Sequence, residues 1–236
     1  EVLIVKFVIG GTYLTDNTTN TFSLTYGNWC PPSKRQNPTA NITGVLYDKW
    51  KSTVQSAVDA YKAAGYTSEL KGTFWMQGEA ETDGTYGSGD YEGHLRALIQ
   101  DMRSDYETIF GSDEVKTAPF AIGKIAPTFF GGNDNVNAVR AIQDRVAGST
   151  GYTFAIETED YRLCDENGKP INGIGDTFHF TGDDMMSLGR AVGKLFVSES
   201  DPSVEVIVGK NGRANITSAK LEGAPISVTF TPDEHY

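Results

Sequence analysis

Short apolar runs alternate with segments of helical period along most of this chain, and that alternation constrains the fold more than any other feature. The runs 2–9, 72–76, 118–125 and 152–156 read as strands. Their lack of polar alternation suits strands buried on both faces, as in parallel sheets. The segments 47–64, 91–110 and 135–147 place apolar residues three and four apart, the spacing of one helix face. The first repeats Trp50, Val54, Ala57, Val58 and Tyr61, with Leu46 just before it. The second repeats Leu95, Leu98, Ile99, Met102, Tyr106 and Ile109, and the third Val136, Val139, Ile142 and Val146. Thr181 can cap a last helix that carries Met185, Leu188, Val192 and Leu195. Strand–helix repetition predicts an α/β protein, a three-layer α/β/α sandwich on a parallel, flavodoxin-like sheet.

Two ends of the chain stand apart from this pattern. Residues 201–236 follow an Asp201-Pro202 break and read as a small β-rich appendage, whole or truncated, leaving 1–200 as the main domain. At the other end, the 2–9 run follows Glu1 directly. A core strand seldom opens a chain, so the sequence reads as a fragment, a processed chain or one half of a larger protein. A core strand from outside this numbering is then expected beside it.

Composition narrows the partners. A net charge of −11 lacks the basic footprint of a nucleic-acid partner. It also disfavours docking on an anionic membrane surface. It suits a neutral substrate such as a carbohydrate without requiring one. The sequence shows neither a membrane-spanning run nor a leader segment. Cys30 and Cys164 lie far apart and outside any zinc-type spacing, so one disulfide and two buried thiols both remain open. Three Asn-x-Thr patterns, at Asn17, Asn41 and Asn215, matter only for a chain secreted by a eukaryote.

Polar residues gather where the strands end. The stretch from Gly72 to Glu81 turns from Thr-Phe-Trp-Met to Gln77-Gly78-Glu79-Ala80-Glu81, so an amide and two carboxylates fall at a strand's carboxyl end. In open α/β sheets ligands bind there. Gly10-Gly11-Thr12 closes the first run, where paired glycines permit a close backbone approach to a ligand. A long loop, 13–40, follows, and its Tyr26 and Trp29 suit either sugar stacking or pinning of the loop. Gly175-Asp176-Thr177-Phe178-His179-Phe180 precedes the last helix, with Asp176 three residues before His179. A carboxylate at that spacing can orient an imidazole. Of the three histidines, His94 falls on a polar helix face and His235 in the tail, which leaves His179 as the candidate general base.

Taken in order, these elements resemble a known family. Lys6 with Gly10-Gly11-Thr12, Trp75-Met76-Gln77-Gly78-Glu79-Ala80, the Val139–Gln143 helix pattern and Asp176-Thr177-Phe178-His179-Phe180 are similar to the blocks of an SGNH/GDSL-type hydrolase. The branch is that of the sialate O-acetylesterases and acetyl xylan esterases, both carbohydrate esterases. The resemblance implies hydrolysis of O-acetyl esters, often on carbohydrate, with no metal or organic cofactor; a secreted or cell-surface location is expected. It implies His179 as base, oriented by Asp176 or Glu79. It places Gly10, Gly11, Gln77 and Gly78 in the oxyanion and substrate-binding set, where N–H donors meet the charge that develops on the carbonyl oxygen. Ala80 stands where other SGNH relatives carry an oxyanion Asn, which leaves that role to Gln77. Arg140 and Gln143 match a structural pattern only.

One block is absent. The family's nucleophile serine sits in a Gly-Gln-Ser-Asn type element, and no such element occurs here. The serine is expected on a missing N-terminal segment or a second chain. The alternative is a non-catalytic carbohydrate-binding or structural module that retains the esterase fold.

Overall fold

The computed structural model describes residues 2–200 except 37, 40, 84–89, 130–132, 161–162, 166–168, 172 and 174. The expected β appendage, His235 and most of the Gly-rich loop before the 91–110 helix lie outside the described residues. The architecture is an α/β sandwich with a parallel three-stranded sheet. The strands are β1 (Thr73–Met76), β2 (Phe120–Gly123) and β3 (Thr153–Ile156), in that spatial order. Trp75 pairs with Ile122, and Ile122 with Ala155.

The helices follow the apolar spacing. They are α1 (Thr21–Tyr26), α2 (Val45–Ala63), α3 (Tyr91–Phe110), α4 (Asp134–Ser149) and α5 (Gly182–Ser200). Every residue of the α3 stripe from Leu95 to Ile109 is buried. Each large side chain so buried stabilises by about 1.5–3 kcal/mol. Asn133 caps α4 by accepting the Val136 N–H at 3.0 Å, and Gly111 ends α3 in the left-handed region at φ 70°. The central β2 is buried along its whole length, whereas β1 and β3 are only partly covered. α3 packs between α2 and α4, α4 covers β3, and α5 touches β2 and β3.

Two expectations change, at the 2–9 run and at His94, and two open readings are resolved, at the 13–40 loop and at Asn17. The 2–9 run forms no strand among the described residues. Val2, Leu3, Ile4, Val5 and Val8 are exposed, and only Phe7 and Ile9 pack against the core. A strand needs a neighbour, and no described strand pairs with this run; β1 itself is an edge. The 13–40 loop is more ordered than its composition suggests. It contains α1, capped by Asn20, and a 3-10 turn at Pro32–Lys34. Asn28 holds it by accepting from Cys30 N and Gly44 N. Trp29 is buried, edge-on to Trp75 and Phe7, so it pins the loop, while Tyr26 remains exposed. His94 lies on the buried side of α3, with Nδ1 2.9 Å from Asp90 Oδ2. The polar reading failed because His94 sits one turn from Leu98, on the same face. Last, Asn17 is buried, its carboxamide oxygen accepting from Thr19 N and Asn20 N, which removes it as a glycosylation acceptor in the folded chain. Cys30 and Cys164 are two buried free thiols.

Candidate active site

The site is built where β1 ends. Gly78 follows Gln77 at φ 143°, a conformation other residues rarely adopt. A Cβ there would stand 3.0 Å from Ile125 Cγ2 and from Val139 Cγ1. The chain therefore turns sharply between β2 and α4, and only glycine fits. The Gln77 carbonyl accepts from Tyr91 Oη and from Gln143 Nε2, each at 3.0 Å. Gln143 Oε1 in turn accepts the Ile125 N–H at 3.2 Å. One α4 side chain thus ties the end of β1 to the residues just after β2.

The Gln77 side chain turns toward the glycine loop. Its Nε2 donates to Thr12 O at 3.2 Å and lies 3.4 Å from Glu81 Oε1. Its Oε1 is buried with no hydrogen-bond partner among the described residues. Both amide hydrogens are therefore directed within the protein. Gly10 and Gly11 are exposed just before Thr12, with Gly11 in the left-handed region at φ 69°. The Phe22 ring of α1 lies 3.2 Å from where a Gly11 Cβ would stand. Glu81 is fully buried and accepts from Leu14 N at 2.7 Å, Thr15 N at 3.3 Å and Thr15 Oγ1 at 3.0 Å.

The loop before α5 carries a carboxylate–imidazole pair. His179 Nδ1 lies 2.9 Å from Asp176 Oδ2, and Asp176 Oδ1 accepts from Phe178 N at 2.8 Å and His179 N at 2.9 Å. The His179 ring, then the two N–H groups, hold the Asp176 carboxyl down at about 2. An ionised carboxylate only accepts, so Nδ1 carries the hydrogen and Nε2 is the basic nitrogen of the neutral ring. The ring is three-quarters exposed at 75%. Glu79 belongs to the same electrostatic environment. Burial pushes its carboxyl up, while the Glu79 and Gly78 N–H groups and the charge of His179 pull it back.

The structure thus joins Gln77 to the glycine loop, Asp176 to His179, and His179 to the field of Glu79. Asp176, not Glu79, makes the direct hydrogen bond to the ring. Sequence placed Gln143 in a structural helix pattern and Glu81 among the carboxylates at the strand end without giving either a role, and Tyr91 was not singled out. Glu81 had a signal, its place in the Gln-Gly-Glu-Ala-Glu run; Tyr91 had none beyond an apolar helix face. Arg140 braces the same edge by donating to Ile125 O and Thr158 Oγ1 and pairing with Glu157 and Glu159. Burial alone would raise Glu157, but Lys124, the Thr158 N–H and Arg140 bring it down to about 2. Among the described residues no three His, Cys, Asp or Glu side chains are placed to hold a metal. A groove of about 500 Å³ between Phe7 and the outer face of α2 contains none of these site residues.

Comparison with known proteins follows the same lines. The chain is similar in structure to a novel carbohydrate acetylesterase from Xanthomonas citri, at 18% identity and a TM-score of 0.50. The match covers 84% of this chain and 36% of that one, so this chain spans about a third of that protein's length. At this identity the likeness shows the fold. No curated protein matches the chain. The family described as carbohydrate esterase, sialic acid-specific acetylesterase, matches residues 2–198, and the chain, with its glycine loop, Gln-Gly-Glu strand end and Asp-x-x-His loop in that order, belongs to this family.

Proposed function

We propose that this domain hydrolyses O-acetyl esters on a carbohydrate, a sialic acid or an acetylated polysaccharide, through a serine nucleophile. The observation that carries this reading is the Asp176–His179 pair, held at 2.9 Å on a loop whose imidazole shares an electrostatic field with Glu79 at the end of β1. His179 Nε2 takes the proton of the serine hydroxyl as its oxygen attacks the acetyl carbonyl carbon. The protonated ring returns that proton to the departing sugar oxygen. Water then repeats the sequence on the acetyl-enzyme and releases acetate. Asp176 orients the ring and stabilises its charged form, with Glu79 as the second candidate for that role. Backbone N–H groups of Gly10 or Gly11 meet the oxyanion. Gln77 joins them when its 3.2 and 3.4 Å contacts exchange for the oxyanion.

The serine, on this proposal, comes from an N-terminal segment or second chain outside residues 1–236. Its strand would lie along the edge of β1 that no described strand occupies. The inward-turned Gln77 amide favours a second reading, a non-catalytic carbohydrate-binding or structural module. One measurement separates the two: hydrolysis of p-nitrophenyl acetate by the full-length gene product. Hydrolysis that falls by about 10²–10⁴-fold in His179→Ala is expected. No hydrolysis by the full-length protein would favour the binding module.

A further inference from the structure

Glu81 is a fully buried carboxyl that the proposed chemistry does not use, and among the described residues no cation pairs with it. A buried carboxylate is costly unless its surroundings supply donors. Here the donors come from two segments far apart in sequence. Oε1 accepts from Leu14 N at 2.7 Å and Thr15 N at 3.3 Å, and it also faces Gln77 Nε2 at 3.4 Å. Oε2 accepts from Thr15 Oγ1 at 3.0 Å. All of these partners can donate, so the group is suited to act as an acceptor. Burial pushes the carboxyl up, and the Leu14 and Thr15 donors pull it back.

We propose that Glu81 is a positioning residue that clamps the 10–15 loop, which bears the candidate oxyanion N–H groups, to the Gln77 end of β1. This inference rests on the esterase reading. An apolar anchor would bury the loop at lower cost. The carboxylate adds direction: accepting two successive backbone N–H groups fixes the peptide planes at Leu14 and Thr15, three residues from Gly11. Through the same oxygen it meets Gln77, whose Nε2 also reaches Thr12 O. One oxygen atom therefore sets the relative placement of both sources of oxyanion donors. A shift of about 1 Å in such groups costs about 100-fold in rate.

The test compares Glu81→Ala, Glu81→Gln and Glu81→Asp in the full-length gene product. Glu81→Ala is expected to lower kcat for p-nitrophenyl acetate about 100-fold with KM nearly unchanged. Glu81→Gln should recover most of that loss, because its Oε1 still accepts from Leu14 and Thr15. Glu81→Asp keeps the charge but withdraws the acceptor by one methylene, so it should recover less. Amide hydrogen exchange at Leu14 and Thr15 should quicken in Glu81→Ala and return toward wild type in Glu81→Gln. Should Glu81→Ala fail to fold, the order of the Gln and Asp variants decides. Unchanged exchange in Glu81→Ala, a loss confined to KM, or Glu81→Asp outperforming Glu81→Gln would each overturn the proposal. An inactive wild type would sink the esterase reading, and the exchange measurement would still decide the clamp.

Discussion

Asp176 holds His179 twice: its Oδ2 lies 2.9 Å from the ring Nδ1, and its Oδ1 accepts the His179 backbone N–H at 2.9 Å. A single carboxylate therefore fixes both the ring and the peptide that carries it. The three-residue spacing makes this possible in one turn, and Phe178 N adds a third donor at 2.8 Å. These three contacts assemble the pair within a short loop. Glu79, next to Gly78 at the end of β1, is reached only by the charge of His179.

This arrangement ranks the carboxylates. In the full-length protein, His179→Ala should lower ester hydrolysis by about 10²–10⁴-fold, the range of general-base assistance. Asp176→Asn should be more damaging than Glu79→Gln, because Asp176 contacts Nδ1 directly and Glu79 acts through its field. Steady-state kcat/KM for the three variants checks the order, with circular dichroism to show that each is folded. Glu79→Gln proving the more severe would move the orienting role to Glu79.

The acid behaviour of the pair follows from its sign. The folded Asp176 carboxyl titrates at about 2, below its ordinary 3.8. A depressed carboxyl contributes its stability above the ordinary value and loses it as pH falls through the lower one. The loop contacts should therefore persist at pH 3 and dissolve near pH 2. Carboxyl carbon shifts of Asp176 followed by NMR test this directly. A midpoint near 3.8 would show that the ring and N–H groups do not hold the charge.

Much of the scaffold was legible because periodicity reports burial. The α3 boundaries 91–110 follow from its apolar stripe, and β1, β2 and β3 lie inside the runs expected for them. The 2–9 run was misread because apolar content signals a need for cover, while strand formation also needs a partner edge. His94 was misread because an imidazole's polarity suggests solvent, whereas its place one turn from Leu98 puts it on the buried face. Asp176 and His179 were visible through local spacing. Glu81, Tyr91 and Gln143 act across 14 to 67 positions of sequence. Such long-range hydrogen bonds leave no periodic trace.

The turn after β1 should tolerate no side chain. Gly78→Ala places a Cβ 3.0 Å from Ile125 and Val139 and forces alanine to φ 143°. A strained backbone of this kind costs about 1–3 kcal/mol, before any packing shift. Urea unfolding of the variant should show a lower midpoint at unchanged slope. An unchanged midpoint would mean that the turn relaxes without cost.

Gln143→Leu removes the amide that spans the two strand ends. Ile125 N then loses its acceptor in a buried position, and Gln77 O keeps only Tyr91 Oη. A buried donor left without a partner costs about 1–3 kcal/mol. The carbonyl should cost less, because one bond survives. Tyr91→Phe alone should be mild for the same reason, since Gln143 Nε2 still reaches Gln77 O at 3.0 Å. The double variant leaves that carbonyl with neither donor, so its loss should exceed the sum of the single losses. Residues sharing one hydrogen-bonded acceptor couple in this way. Denaturant unfolding of the two single variants and the double variant measures the coupling. Simple additivity would mean that Tyr91 and Gln143 stabilise the chain through packing rather than through their shared acceptor.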